Sequence, residues 1–363
     1  MTKEWNDKYN PFNSWKALTH SAHFEAILAG KPLPPIVINM DLTNKCNYNC
    51  RFCMFANRER ADPTGKSFRG DNSSLQKGYA LTLPKLWKRW GAKAVCLAGG
   101  GEPSLHPDCL EFIRECGKNK LELGFVTNGY LVNNKKWWKT INQNCKFVGF
   151  SMDAGNKEDY AKVKGVKPEQ FNETIKNIRG IVKTKGNVQV GFKFLLDRYN
   201  QTSIYQAARI ARNIGCNHFQ FRPAIDNYVY SREEIENIWK QISTAQEHFD
   251  SDTYKVIGVQ HKFNLNLSKK HKFNCCRATM LTSTWAADGR VYLCTDTRGN
   301  LWADLINHYP NPEKVIEFWG SRKHWDKVHK INFKQNCDRC TLTAYNEFFE
   351  QVFIKDKMDR WLI

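Results

Sequence analysis

The chain has 363 residues, 41% hydrophobic and 25% charged, which is enough for one large domain or two smaller ones and excludes global disorder. A formal net charge of +19 favours anionic partners: a phosphorylated metabolite, a nucleic acid or an acidic protein. No apolar run approaches the roughly 18 residues of a membrane helix and the opening "MTKEWNDKYNPFNSWK" lacks a signal-peptide core, so no membrane partner and a cytoplasmic location are expected.

Residues 1–34 read as an N-terminal extension. The first β-rich run is "PIVINMDLT" (35–43), and "TNKCNYNCRFCMF" (43–55) follows it, placing Cys46, Cys50 and Cys53 on one loop. A four-iron four-sulfur cluster has four irons that each want an outside ligand. Three cysteines therefore leave one iron open to a substrate or cofactor. A structural zinc site is normally closed by four protein ligands and draws its cysteines two by two. Zinc with a fourth, distant ligand is the alternative, and with it a zinc-stabilised binding protein rather than an enzyme.

Further strands are expected at "AKAVCLAGGG" (92–101), "LELGFVTNG" (121–129), "CKFVGFSMDAG" (145–155), "NVQVGFKFLLD" (187–197) and "HFQFRPA" (218–224). Helical patterns separate them: "LTLPKLWKRWG", "HPDCLEFIRECGKN", "FNETIKNIRGIVKTKG" and "QTSIYQAARIARNIG", several ending in the glycine that helices favour. Repeated βα units imply a parallel sheet with helices outside it. The expected fold is therefore α/β, a partial TIM-like barrel of six units over residues 35–230, with its chemistry at the C-terminal strand ends. The glycine triplet at 99–101 alone reads as a turn. "WKRWGAK" (87–93) and "NNKKWWKT" (133–140) interleave aromatic and basic residues, as single-strand nucleic-acid binders and amphipathic helix surfaces both do.

After residue 230 the rhythm breaks, and residues 231–363 read as a compact C-terminal extension. A helix is expected at 231–249, a hairpin turning at Asp288-Gly289, and a closing helix at 343–363. Thirteen cysteines without a secretory signal point to metal binding where they cluster and to core positions where they stand alone. Cys96, Cys109, Cys116, Cys145 and Cys216 are the lone ones. Cys276, Cys294, Cys337 and Cys340 could enclose one cluster or one zinc, and spacing does not choose.

The three-cysteine stretch "CNYNCRFC" resembles the CxxxCxxC signature of the radical S-adenosylmethionine (SAM) superfamily, with Phe52 as the aromatic residue before the last cysteine. "AGGGEP" (98–103) resembles that family's GGE motif, and "TNG" (127–129) and "SMDAG" (151–155) match recurrent strand ends. The resemblance spans residues 35–225. It implies that an open iron takes the amino and carboxylate groups of SAM, with Gly100, Gly101 and Glu102 holding the amino group. Ser151, Asn200 and Arg222 become candidates for the carboxylate or ribose, although local hydrogen bonds explain such strand-end residues equally well. It further implies reductive cleavage of SAM to methionine and a 5′-deoxyadenosyl radical that takes a substrate hydrogen. An external electron donor, such as a flavodoxin or ferredoxin, is then needed.

Twelve residues separate Cys276 from Gly289 and four more precede Cys294, a pattern resembling the SPASM and twitch extensions of this superfamily. Full SPASM domains need further cysteines after the CxxC, and none follows Cys340, so the resemblance is to the shorter twitch form. It implies one auxiliary [4Fe-4S] cluster on Cys276, Cys294, Cys337 and Cys340, with Cys275 an alternative to Cys276. A fully ligated cluster suits electron transfer, hence a two-electron oxidation. Related enzymes oxidise sugars or aminocyclitols, or modify peptides and proteins. Some carry an aspartate directly after the second hairpin cysteine; here Thr295 stands there, and Asp296 is the candidate base. Only 34 residues precede the first strand, too few for the leader-binding domain of many peptide-modifying relatives. The expected substrate is therefore a small molecule such as a phosphorylated or nucleotide-linked sugar, with a peptide or a nucleic acid as alternatives.

Overall fold

The computed structural model describes residues 14–53, 55, 72–224, 230–258, 273–337 and 340–355. Each expected β-rich run forms a strand: β1 (Val37–Met40), β2 (Ala94–Leu97), β3 (Glu122–Thr127), β4 (Cys145–Ser151), β5 (Gln189–Leu196) and β6 (His218–Pro223). All pair in parallel in that order. Among the described residues up to Phe249 the α-helices are α1 (Ser21–Leu28), α2 (Tyr79–Trp90), α3 (Cys109–Lys118), α4 (Lys135–Asn144), α5 (Lys157–Lys164), α6 (Glu169–Lys183), α7 (Ile204–Ile214) and α8 (Arg232–Phe249). Side-chain alternation along each strand sorts residues between the helix layer and the barrel lumen. Phe192, Phe194 and Leu196 of β5 are buried in the core, whereas Lys193 and Leu195 between them keep some exposure. On β6, Phe221 meets the edge of Trp239 on α8, so Gln220 and Arg222 face the lumen.

The sheet is larger than six strands. β7 (Lys255–Gly258), which was not expected, adds in parallel to β6. The hairpin is present as β8 (Thr282–Trp285) and β9 (Arg290–Tyr292), but β8 lies parallel beside β1 in the barrel sheet. With β10 (Asp304–Asn307) the order is β10-β9-β8-β1-β2-β3-β4-β5-β6-β7, so the barrel is only partly closed. Without β8, the outer edge of β1 would present unpaired backbone groups. The hairpin turn rests on Gly289, whose φ of +84° needs glycine, while the Asp288 carboxylate accepts from Arg290 N–H and the Tyr292 hydroxyl. The closing helix covers Thr343–Phe348 and continues as a π-helical turn, Phe349–Ile354; residues 356–363 of the expected helix lie outside the described residues.

Of the aromatic residues in the two basic stretches, Trp87 is buried, and Trp90, Trp137 and Trp138 are half-buried. Trp87 is fully buried and meets Phe112 and Trp285 edge-on. Trp138 donates its indole N–H to Val132 O, and a Cβ on Gly180 would overlap its ring, so α4 and α6 pack there in close contact. Trp87 and Trp138 thus serve in helix packing. Cys109, Cys116, Cys145 and Cys216 are buried as expected of core thiols. Cys96 differs: its neighbours Val95 and Leu97 fill the core, and Cys96 itself is half-buried on the lumen side. Among the described residues no helix is long and apolar enough to cross a membrane.

Candidate functional site

The cysteine loop leaves the C-terminal end of β1, and the glycine-rich loop leaves the end of β2 beside it. Backbone hydrogen bonds join them: Gly101 N–H donates to Thr43 O at 3.0 Å and Glu102 N–H to Lys45 O at 2.9 Å. A Cβ on Gly101 would stand 2.0 Å from Lys45 O, so only glycine permits this approach. Within the cysteine loop Cys53 N–H donates to Cys50 O, closing a tight turn. Cys46, Cys50 and Cys53 line a cavity of about 250 Å³ together with Phe52, Gly100, Gly101, Glu102, Ser151 and Arg222. Burial, opposed in part by the Lys164 ammonium, pushes the Cys50 thiol up to about 11. Among the described residues no three His, Cys, Asp or Glu side chains converge as ligands of a single metal ion would.

Glu102 is buried at the cavity wall, where its carboxylate ties the second strand end to the third. Oε1 accepts from Thr127 Oγ1 at 2.6 Å, from Ser104 Oγ at 2.6 Å and from Ser104 N–H at 3.1 Å. Oε2 accepts from Asn128 N–H at 2.7 Å. Burial raises its pKa, and these donors oppose the rise. One bond on Oε2 leaves acceptor capacity for an amino group.

Asn200 stands elsewhere. It is fully buried and does not line the cavity. Its amide donates to Asp153 O and Leu195 O, both at 2.8 Å, and its Oδ1 accepts from Asp197 N–H. These bonds to three backbone groups are the local role, clamping the ends of β4 and β5.

That clamp holds Asp153, whose φ of +55° is unusual outside glycine and which lines the cavity. Its carboxylate accepts from Leu195 N–H and from the ammonium of Lys164, both side chains being almost fully buried. Burial alone would lower the Lys164 pKa; the charges of Asp153 and Cys50 beside it override that and raise it. Lys164 also lies over the Phe52 ring, 5.6 Å from its centroid. Lys164→Met is expected to destabilise the chain by about 3–5 kcal/mol, because it strands a buried carboxylate. Urea unfolding checks this, and Asp153→Asn in the same chain should recover part of the loss.

The second cysteine set also gathers. Cys276 is buried, and its thiol is pushed far up by burial and then by Cys340, Cys294 and Cys337 beside it. Asn346 Nδ2 donates to Cys276 Sγ at 3.4 Å, and burial pushes Cys294 up to about 12. Cys275 faces Arg277 and Glu350 instead. Asp296 sits by Cys294 and Cys340, with Oδ2 accepting from Thr341 N–H at 2.9 Å, and does not line the cavity.

A buried pair connects the two sites. Arg298 Nη1 donates to both carboxylate oxygens of Asp41, at 2.7 and 2.9 Å, and its guanidinium lies 5.3 Å from the Phe55 ring centroid. The segment after Cys294 is thereby pinned to the end of β1 and to the cysteine loop. Sequence reasoning passed over Asp41, Arg298, Lys164 and Lys193. Asp41 and Asp153 carried a usable signal, being acidic residues at strand ends inside quoted motifs; the two lysines and Arg298 carried none.

Residues 40–199 match the family model described as the radical SAM superfamily. The barrel segment of the chain is thus similar to that superfamily. A probable GTP 3′,8-cyclase of Saccharolobus islandicus (strain M.14.25 / Kamchatka #1) is 29% identical over 191 residues, 52% of this chain and 56% of that protein. Molybdenum cofactor biosynthesis protein moc-5 of Caenorhabditis elegans is 26% identical over 278 residues, 71% of this chain and 43% of that protein. The chain thus spans about half the length of these curated relatives. Among solved structures, Streptococcus suis SuiB bound to S-adenosylmethionine superposes with a TM-score of 0.64 at 14% identity, covering 95% of this chain and 81% of that one. Native anSMEcpe with bound AdoMet gives 0.58 at 17%, covering 87% and 96%. At these identities the likeness shows the fold.

Proposed function

We propose that the chain oxidises a small anionic molecule by two electrons at the cavity above the barrel lumen. The observation that carries this is the single cavity bounded by Cys46, Cys50 and Cys53 on one loop and by Gly100, Gly101 and Glu102 on the next. When bound there on the three thiolates, a [4Fe-4S] cluster would supply reductive cleavage of SAM to methionine and a hydrogen-abstracting 5′-deoxyadenosyl radical. Glu102 would accept from the amino group of SAM, and Ser151 and Arg222 would meet its polar groups. Phe52 and Phe55 border the cavity and limit its contact with water.

The four thiols of Cys276, Cys294, Cys337 and Cys340 suit a second, fully ligated cluster. After hydrogen abstraction the substrate would lose one proton and pass one electron to that cluster, completing the oxidation; an external reductant supplies the electron for SAM cleavage. Asp296, beside those thiols, is the candidate base for the proton. The small-molecule reading draws support from the relatives named as probable GTP 3′,8-cyclases and from cations within the barrel. With SAM and dithionite, the reconstituted chain is expected to release 5′-deoxyadenosine, and a screen of phosphorylated and carboxylated metabolites should raise that rate at least tenfold for a true substrate. Stimulation by peptides alone would overturn the small-molecule reading.

A further inference from the structure

The helix layer carries a second cavity, of about 530 Å³, that shares no lining residue with the one at the cysteine loops. Two neighbouring helices make its walls. Lys135 and Lys139 stand four residues apart on α4, and Lys176, Arg179 and Lys183 stand three and then four apart on α6, so each row occupies one helix face. Between the rows Trp138 packs on Gly180, where a Cβ would stand 2.3 Å from the indole ring. The two rows of cations therefore border a single cavity.

No carboxylate lines it. Lys176 reaches Glu173 at 3.9 Å. Among the described residues the side chains of Lys135, Lys139, Arg179 and Lys183 make no hydrogen bond or ion pair. The exposed face of α3 is built differently: Arg114 pairs with Glu111 at 2.7 Å and Lys118 with Glu115 at 2.5 Å. Like charges four residues apart, as in Lys135 with Lys139 and Arg179 with Lys183, weaken a helix. The first turn of α4 also holds Lys135 and Lys136 and no acid, which opposes the helix dipole. The fold keeps this arrangement at a cost, and a bound polyanion would reverse its sign.

We propose that this cavity binds a chain of linked phosphates, as in an inorganic polyphosphate or the tail of a nucleoside triphosphate, at a site separate from the cavity of the cysteine loops. Five cations bordering one cavity call for several negative charges close together. A lone carboxylate brings one, and a nucleic-acid strand spreads its charges along a track. The site does not depend on the cysteine loops, so its failure would leave the functional reading above intact.

Calorimetric titration of the full chain without free divalent cations tests it, with inorganic tripolyphosphate as the probe. Saturable binding of one tripolyphosphate per chain is expected, roughly tenfold or more tighter than inorganic phosphate. Affinity should fall as salt rises from about 0.05 M to about 0.5 M, because exposed charges are screened. K139E together with R179E should weaken binding roughly thirtyfold, and K139R together with R179K should keep most of it. K77E together with K240E reverses two exposed cations outside the cavity and should cost no more than about threefold. The K139E–R179E variant should melt at or above wild type, since like-charge neighbours are gone; K139Q with R179Q takes its place if it melts lower. Tighter binding of ATP than of tripolyphosphate assigns a nucleotide, and equal binding assigns a polyphosphate. The proposal is overturned if tripolyphosphate does not bind, if the K139E–R179E variant binds it as well as wild type, or if the K77E–K240E variant loses as much. It is also overturned if only a single-stranded oligonucleotide binds, with affinity growing with its length.

Discussion

Changing Cys46, Cys50 and Cys53 together to Ala is expected to lower the iron of the anaerobically reconstituted chain from about eight to about four atoms and to abolish 5′-deoxyadenosine formation. The three thiols share one cavity wall with the Gly99–Gly101 turn, so their loss should remove the one cluster with an open iron and leave the second set untouched. Even the single change Cys53→Ala should stop SAM cleavage, since an open-site cluster holds to the protein through three bonds and the loss of one frees it. Zinc without acid-labile sulfide in the wild type would instead support two zinc sites. About four irons that vanish in the triple variant would leave Cys276, Cys294, Cys337 and Cys340 as zinc ligands or empty thiols, and the proposed oxidation would then have no electron acceptor.

Cys340→Ala should separate the two halves of the reaction. Cys340 lies beside Cys276 and Cys294 and outside the cavity lining. The variant should lose about four irons per chain, retain part of its SAM cleavage, and form no oxidised product. Methionine and 5′-deoxyadenosine would accumulate without product because the substrate radical could not pass on its electron. Chromatography of 5′-deoxyadenosine against product in one sample measures this. Unchanged turnover would deny the second cluster any role in the chemistry. Asn346, which bridges Cys276 Sγ and Ala278 N–H, makes some loss of order around the site expected as well, so the iron count must accompany the kinetics.

Much of the site was legible because it is local. Three thiols within eight residues, and a glycine triplet ending in Glu102, announce themselves without a fold, and both fall at ends of strands marked by β-rich runs. Asn200 shows where that legibility fails. Its position after the fifth strand suggested a cofactor contact, but its amide is spent on the backbone of Asp153, Leu195 and Asp197. Which face a side chain takes, and what it meets there, depends on neighbours far away in sequence. The same holds for Cys96, which its apolar neighbours marked as core and strand alternation turned toward the lumen.

The sequence by itself determined the βα rhythm, the cysteine loop and the spacing of Cys276, Gly289 and Cys294, because each depends on residues close along the chain. Only the tertiary structure decided that Cys276 rather than Cys275 meets Cys294, Cys337 and Cys340. It also decided that β8 completes the edge of β1, and that Lys164 and Asp153, Asp41 and Arg298, and Lys193 near the Phe147 ring take their places in the barrel. Those contacts join segments as far apart as residues 41 and 298. Ion pairing and desolvation act across space at a few ångströms, and no local pattern encodes which distant charges the closing sheet will bring together.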